Sequence, residues 1–260
     1  MKRYDGEVAV LTGASSGLGR RLAVELARRG ATVVGIARRK ELLDELADEL
    51  RAHTPSSRTV VCDVSDGEAY EAVLAEVESA DGKLDVLIAA AAIESETPVS
   101  GATLDDFRRT MEVNFFGVVA GTLAVVPGMV ARGHGAVVNV SSDSARAPAP
   151  GGAAYAASKA ALSAFSEAVA VEVADRGVHV HVLYPGWVPT PMGMAAVERG
   201  MTLPPKLVRR TEEQIAELVL ERMGSDAIEL NASRLPVIAP LARAFFPKAY
   251  RKSVTKNSSS

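Results

Sequence analysis

Residues 8–19 read VAVLTGASSGLG: four apolar residues, a threonine, and then glycines at 13, 17 and 19. The apolar run has the length of a short buried strand, and residues 17–29 have the length of a helix. A strand that breaks into glycines and leaves as a helix makes a cradle for phosphate. Gly13 permits the tight turn, Gly17 lets the backbone approach a pyrophosphate, and Gly19 lets helix and strand pack closely. The free N–H groups of the helix start face the anion. Ser15, Ser16 and Leu18 complete the turn as candidate binding residues. Glycines also serve ordinary turns, so the weight lies on the position of this one, between a first strand and a first helix.

Outward from that turn the alternation repeats. Residues 32–37, 59–63, 86–90, 136–141 and 178–184 read as strands, and 40–52, 66–80, 103–132 and 152–176 as helices. Several strands are apolar throughout, as in a parallel sheet covered on both faces. With right-handed crossovers this predicts a single α/β domain over 1–230, a doubly wound parallel sheet with helices on both faces. Ser65 with Glu68 and Thr211 with Gln214 have capping-box spacing, and 227–231 is a candidate seventh strand.

Among 260 residues, 29 basic against 32 acidic side chains leave a net charge of -3. That balance argues against a nucleic-acid partner. The lone cysteine, Cys62, excludes an internal disulfide and fits a reducing compartment, so the cytoplasm is the expected location. The start, MKRYDGEVAVLTG, lacks the apolar stretch of a signal peptide, and runs such as 117–131 are too short and interrupted to span a bilayer. Residues 231–260 differ in kind: six basic side chains (Arg234, Arg243, Lys248, Arg251, Lys252, Lys256) and no acid, against 23 basic and 32 acidic groups before them. Pro236, Pro240 and Pro247 break this apolar, cationic extension into short pieces. Docking on the body, pairing of subunits, or contact with an anionic membrane surface would each use it, the first two being favoured.

The second strand ends Ala37-Arg38-Arg39, with no acid until Glu41. A carboxylate there would accept from an adenine ribose 2′-OH and repel a 2′-phosphate, so two guanidiniums favour NADP(H), with NAD(H) the alternative. A solvated basic helix start is the plain reading of the same residues. Asp63, followed by Val64, either accepts from the adenine amino group or closes the third strand as a turn residue.

The second half holds VVNVSS, with Ser141 and Ser142, and thirteen residues later YAASK, with Tyr155, Ser158 and Lys159. Tyr155 and Lys159, four apart on a helix, share a face about 6 Å apart along its axis. An ammonium there lowers a phenol towards the working range of a general acid/base. Ser142, at the carboxyl end of a strand, would hold a substrate oxygen in the same crevice. A Tyr–Lys pair alone is usually surface decoration; turn, serine and pair in this order are far more specific.

With these residues the sequence resembles the short-chain dehydrogenase/reductase family in its compact form. TGASSGLG is similar to the family's TGxxxGxG and YAASK to its YxxxK; VNFFG puts Asn114 at the fourth catalytic position, and PGWVPT (Pro185, Gly186, Val188, Thr190) resembles PGxxxT. The matches run in order over 5–190. The resemblance implies a Rossmann fold, an NADP cofactor (NAD being the alternative), and hydride transfer between nicotinamide C4 and the carbonyl or alcohol carbon of a small, lipophilic molecule. It implies that Tyr155 gives or takes the proton, Ser142 orients the oxygen, Lys159 holds the nicotinamide ribose, Asn114 positions a water and Thr190 binds the carboxamide. The backbone of Ala90 and Ala91 would pass under the cofactor. A homodimer or homotetramer is expected, paired through the helices carrying Asn114 and Tyr155.

The sequence departs from the family at three points. NNAG is replaced by four alanines at 89–92, Ser16 stands where NADP-preferring members often carry a base, and the VDGG ending is missing. The alanines are the one support for another reading, a nucleotide-binding scaffold or redox sensor without turnover. The substrate pocket is expected between 91–94, 143–149 and a loop at 187–205, with Trp187, Met192, Met194 and Met201 making an apolar wall and Gly193 and Gly200 allowing a lid to close. Asp143 either meets substrate or caps its turn. His179 and His181 share one side of a strand, but no third ligand accompanies them and no metal is expected. His134 reads as a solvated loop residue and Cys62 as inert core.

Overall fold

The computed structural model describes residues 1–256 apart from 96, 200–202, 205 and 234. Among the described residues the strands are β1 Val8–Thr12, β2 Thr32–Ala37, β3 Arg58–Val61, β4 Val86–Ala89, β5 Gly135–Val140, β6 Val178–Tyr184 and β7 Glu229–Asn231. All pair in parallel, in the order β3-β2-β1-β4-β5-β6-β7. β1 and β4 are buried throughout, which is why their sequences are apolar without alternation; β3, at an edge, is only partly covered.

Helices α1 Gly17–Arg28 and α2 Lys40–Arg51 cover one face together with α8 Glu212–Arg222. Leu22, Leu26, Leu43 and Leu46 pack there with Ile215 and Val219. The other face carries α3 Gly67–Asp81, α5 Gly117–Arg132 and α6 Ala153–Glu172, through Tyr70, Leu74, Val125, Met129 and Ala170. The crossovers obey one hand until the last. α3, α5 and α6 lead towards β6 on the face opposite α1, whereas α8 leads from β6 to β7 on the α1 face. The β6–β7 crossover therefore has the reverse hand, a correction to the right-handed expectation.

Other boundaries also moved. Asp66, not Ser65, caps α3, its side chain accepting from the Ala69 amide, so the Ser65–Glu68 box does not form. The Thr211–Gln214 box does form, and a second box, Thr103–Asp106, starts α4 Leu104–Met111. The segment expected as one helix over 103–132 is α4, a π-helical turn Glu112–Phe116, and α5. Together, Leu104–Arg132 is long and apolar enough to cross a membrane by length and composition, unlike its inner part read from sequence. Here it packs on the sheet: Gly117 lies on Val64 and Gly121 on the Tyr70 ring, where a Cβ would meet Val64 O at 2.9 Å and Tyr70 Oη at 2.7 Å. The prolines do not break up the tail as expected. α9 Leu235–Phe245 contains Pro240, and Pro247 opens α10 Pro247–Lys256 at the position where a missing N–H costs nothing.

Candidate active site

The sheet order reverses between β1 and β4, and a cleft of about 550 Å³ opens at the strands' carboxyl ends there. Gly13, Ser15, Ser16, Gly17, Leu18 and Gly19 form its floor, Arg38, Arg39, Asp63 and Val64 one end, and Ala90 and Ala91 its middle. Ser142, Tyr155, Lys159, Pro185, Gly186, Val188 and Thr190 line the other end. Of the candidate catalytic and cofactor-binding residues only Asn114 stays outside the wall, fully buried behind it.

The turn has the shape that a dinucleotide requires. Gly13 has φ +69°, and a Cβ there would lie 2.8 Å from the Ala91 nitrogen; one on Gly19 would meet Gly13 O at 2.5 Å. Ser16, at the start of α1, makes no side-chain cap, leaving the first-turn amides to a phosphate. Beside them the Arg39 guanidinium donates to the hydroxyls of Ser15 and Ser16, at 2.8 and 2.7 Å. Arg38 pairs with Asp63 at 3.4 Å, and the Asp63 carboxylate also accepts from the Ser65 amide and hydroxyl. Burial pushes Asp63 up, but these bonds and Arg38 outweigh it and hold the carboxyl below its ordinary value. The side chain makes the strand-end turn and also borders the cleft, where the adenine amino group is expected.

The four alanines leave no gap. The Thr12 hydroxyl accepts from the amides of both Ala90 and Ala91 at 3.1 Å. Asn114 grips the next residue but one, its Oδ1 accepting from Ile93 N at 2.8 Å and its Nδ2 donating to Ile93 O at 2.9 Å. Nδ2 also donates to the Ser158 hydroxyl. Both ends of its side-chain amide are thus bonded to protein from within a π-helical turn, a device common at functional sites.

At the catalytic end Tyr155 and Ser142 line the cleft together, and the Ser142 hydroxyl accepts from the Ser144 amide and so caps its own turn. Lys159 Nζ lies 5.8 Å from the Tyr155 ring centre and donates to Val140 O at 2.8 Å. Burial pushes Tyr155 up to about 12, Ser142 opposing it and the charges of Glu94 and Asp143 adding to it. Burial pulls Lys159 down to about 8. The expected lowering of the phenol is therefore not produced by this chain's groups alone: desolvation outweighs an ammonium that points at a carbonyl.

Asp143 does not cap its turn. Burial pushes it up to about 6, Arg146 and the Gly186 amide opposing, and its Oδ1 is buried with no hydrogen bond. Trp187 Nε1, in the same wall, is also buried without one. Arg146 fixes the Ser142 turn to the sheet edge: it stacks 3.6 Å over the Tyr184 ring and bonds Asn231 and Glu229 of β7. The expected lid is partly α7 Pro191–Glu198, capped by the Thr190 hydroxyl, which accepts from Gly193 N. Gly193 also answers to crowding, since a Cβ there would collide with Val188 O. Met192 lines the cleft, Met194 faces outward, and Gly200 and Met201 lie outside the described residues. The end of the lid is tied to the cleft rim by Arg199 and Glu94, 3.2 Å apart.

Sequence reasoning missed Val113 and Val208, while Pro204 falls inside the loop expected at 187–205. Pro204 and Val208 join the wall because Arg209 pairs with Trp187 as a short parallel bridge, a contact between irregular segments that no periodicity marks. Among the tempting residues, His181 has both ring nitrogens engaged, with Ala227 O and Gly224 N, and burial lowers its pKa. Cys62 borders the cleft, and burial pushes its thiol up, as suits an inert side chain.

A family model described as short chain dehydrogenase matches residues 7–200. The chain belongs to the short-chain dehydrogenase/reductase family. It is 39% identical over 181 residues to a glycine betaine reductase of Emericella nidulans, covering 70% of this chain and 14% of that protein. It is 37% identical over 190 residues to a fatty acyl-CoA reductase of Mycobacterium tuberculosis, covering 72% and 65%. The chain thus spans under two thirds of both relatives. Among solved members of the fold, actinorhodin polyketide ketoreductase with NADPH superposes at TM-score 0.81 with 29% identity, covering 90% of this chain and 98% of that one. Xylitol dehydrogenase bound to NAD+ superposes at 0.80 with 25% identity, covering 89% and 99%. In this short-chain dehydrogenase/reductase, Ser142, Tyr155 and Lys159 share the cleft with the glycine turn.

Proposed function

We propose that this chain is an NADP(H)-preferring oxidoreductase acting on the carbonyl or secondary alcohol of a small lipophilic molecule. The observation that carries the reading is that Ser142, Tyr155 and Lys159 line one end of the cleft that holds the glycine turn, with Lys159 Nζ 5.8 Å from the Tyr155 ring centre. The bound dinucleotide supplies the hydride, or accepts it in the reverse direction. Ser142 orients the substrate oxygen and Tyr155 gives it a proton, so that a carbonyl gains hydride at carbon and proton at oxygen to become the alcohol. The phenol, pushed up to about 12 by burial, rests protonated at neutral pH and so has a proton to give. Lys159 returns charge to the phenol and holds the ribose; Asn114 keeps the strand end and the Ile93 backbone in place beneath them.

Arg38 and Arg39 support the cofactor preference, Arg39 standing at the position where Ser16 replaces a base. Ile93, Val113, Val188 and Met192 support an apolar substrate, and the fatty acyl-CoA reductase among the relatives points the same way. Phe116, Leu123 and Val171, exposed on the helices that carry Asn114 and Tyr155, support a homodimer or homotetramer. The single, buried thiol supports the cytoplasm. A panel of carbonyls and alcohols, followed at the reduced nicotinamide absorbance with both cofactors, tests the activity; no turnover with any of them in either direction refutes it.

A further inference from the structure

The tail helices carry a surface that the site does not use. Val237, Ile238, Leu241 and Phe245 on α9 are 47%, 53%, 57% and 73% exposed, and Phe246 follows at 69%. The four positions on α9 fall in one stripe of a helix, so they form a ridge rather than scattered points. α9 and α10 pack mainly on each other. They meet the body beside residues 148–150, where Arg243, Pro247, Tyr250 and Arg251 complete a shallow groove. A contiguous exposed apolar patch marks an interaction site.

Charge identifies the occupant. Residues 231–260 hold six basic side chains and no acid, on a body with 23 basic and 32 acidic groups. Arg243, Lys248, Arg251 and Lys252 are exposed on the same two helices. A two-fold contact through the ridge would set this cationic segment against its own copy, like charge on like. Anionic headgroups accept ridge and cations together. α9, 11 residues long, reaches about 16 Å, half of a bilayer core of about 30 Å, so it lies in the interface and does not cross it.

We propose that α9 and α10 form an interfacial anchor that seats the protein on an anionic lipid surface, with the ridge at the acyl boundary and the cations on the headgroups. The loop at 148–150, on which the tail packs, follows the Ser142 turn in the chain. The proposal does not depend on the activity proposed above.

Sedimentation of the full chain with vesicles tests it without reference to turnover. Binding to vesicles of phosphatidylcholine with roughly a third phosphatidylglycerol is expected to be at least about tenfold tighter than to phosphatidylcholine alone, and to weaken with added salt. The triple variant Ile238→Glu, Leu241→Glu, Phe245→Glu is expected to lose at least about tenfold in binding, with oligomeric mass and melting temperature unchanged. Lys248→Glu with Lys252→Glu, which leaves the ridge intact, is expected to lose the preference for anionic vesicles. Failure of the wild type to sediment overturns the proposal, as does equal binding to both vesicle types. A triple variant that binds like the wild type, or whose oligomeric mass falls, also overturns it; the latter assigns the ridge to a second copy of this chain.

Discussion

The Arg39 guanidinium lies 2.7 Å from the Ser16 hydroxyl, reaching back across the glycine turn from the end of the second strand. It brings to that turn the cation that residue 16 itself lacks. Arg39→Asp is expected to raise the KM for NADPH about 10- to 100-fold and to leave that for NADH within about threefold, because only a 2′-phosphate loses its ion partner. Arg38→Asp is expected to do the same more weakly, since Arg38 is exposed and shared with Asp63. Equal losses with both cofactors would refute the preference.

Tyr155→Phe is expected to lower kcat about 10²- to 10⁴-fold with the KM for cofactor unchanged. Single-turnover measurement with a confirmed substrate reads the loss directly. Retention of most of the rate would remove the phenol from the reaction.

Asp143 yields a pH signature in stability. Its carboxyl is raised from 3.8 to about 6 by burial, so the fold favours the protonated form. Stability from that proton is complete below 3.8 and is lost as pH climbs through about 6. Asp143→Asn is therefore expected to stabilise the protein at pH 8 by up to about 3 kcal/mol, and to flatten the decline measured by denaturant melts across that window.

Lys159 behaves in the opposite direction. Burial lowers its ammonium from 10.5 to about 8. The folded state is then favoured above 10.5 and loses that advantage as pH falls through about 8. Lys159→Met is expected to abolish turnover yet melt higher than the wild type at pH 7, and to lack the wild type's rise in stability between pH 8 and 10.5.

Thr12→Val removes the one hydroxyl that serves both the Ala90 and Ala91 amides. Two half-buried donors then lose that partner, an expected cost of about 1–2 kcal/mol, and cofactor affinity should fall with it. Unchanged melting and unchanged cofactor binding would show that the alanine stretch holds itself.

Local rules carried the reading where one stretch of chain does the whole task. The glycine turn and the YAASK helix announce themselves because strand, turn and helix each have a period or a required conformation, and their residues converge on one cleft. Contacts between distant, irregular segments leave no such trace. The Trp187–Arg209 bridge, the Thr12 clamp on β4 and the Arg146 hold on β7 depend on where three dimensions bring the chain. Asn114 was legible as a type but not as a geometry, since nothing in VNFFG says that its amide would face Ile93 rather than a solvent channel. The raised phenol of Tyr155 was hidden for a related reason: helical spacing reports that two groups are neighbours but not how deeply they are buried.

The reversed last crossover gives the protein an order of assembly. Because α8 closes the face of α1, Tyr4 donates to Leu220 O and Arg29 pairs with Glu221, partners separated by 216 and 192 positions in the chain. The outer side of α1 is therefore closed only once residues 217–221 are available, so the first helix gains its full cover late in synthesis.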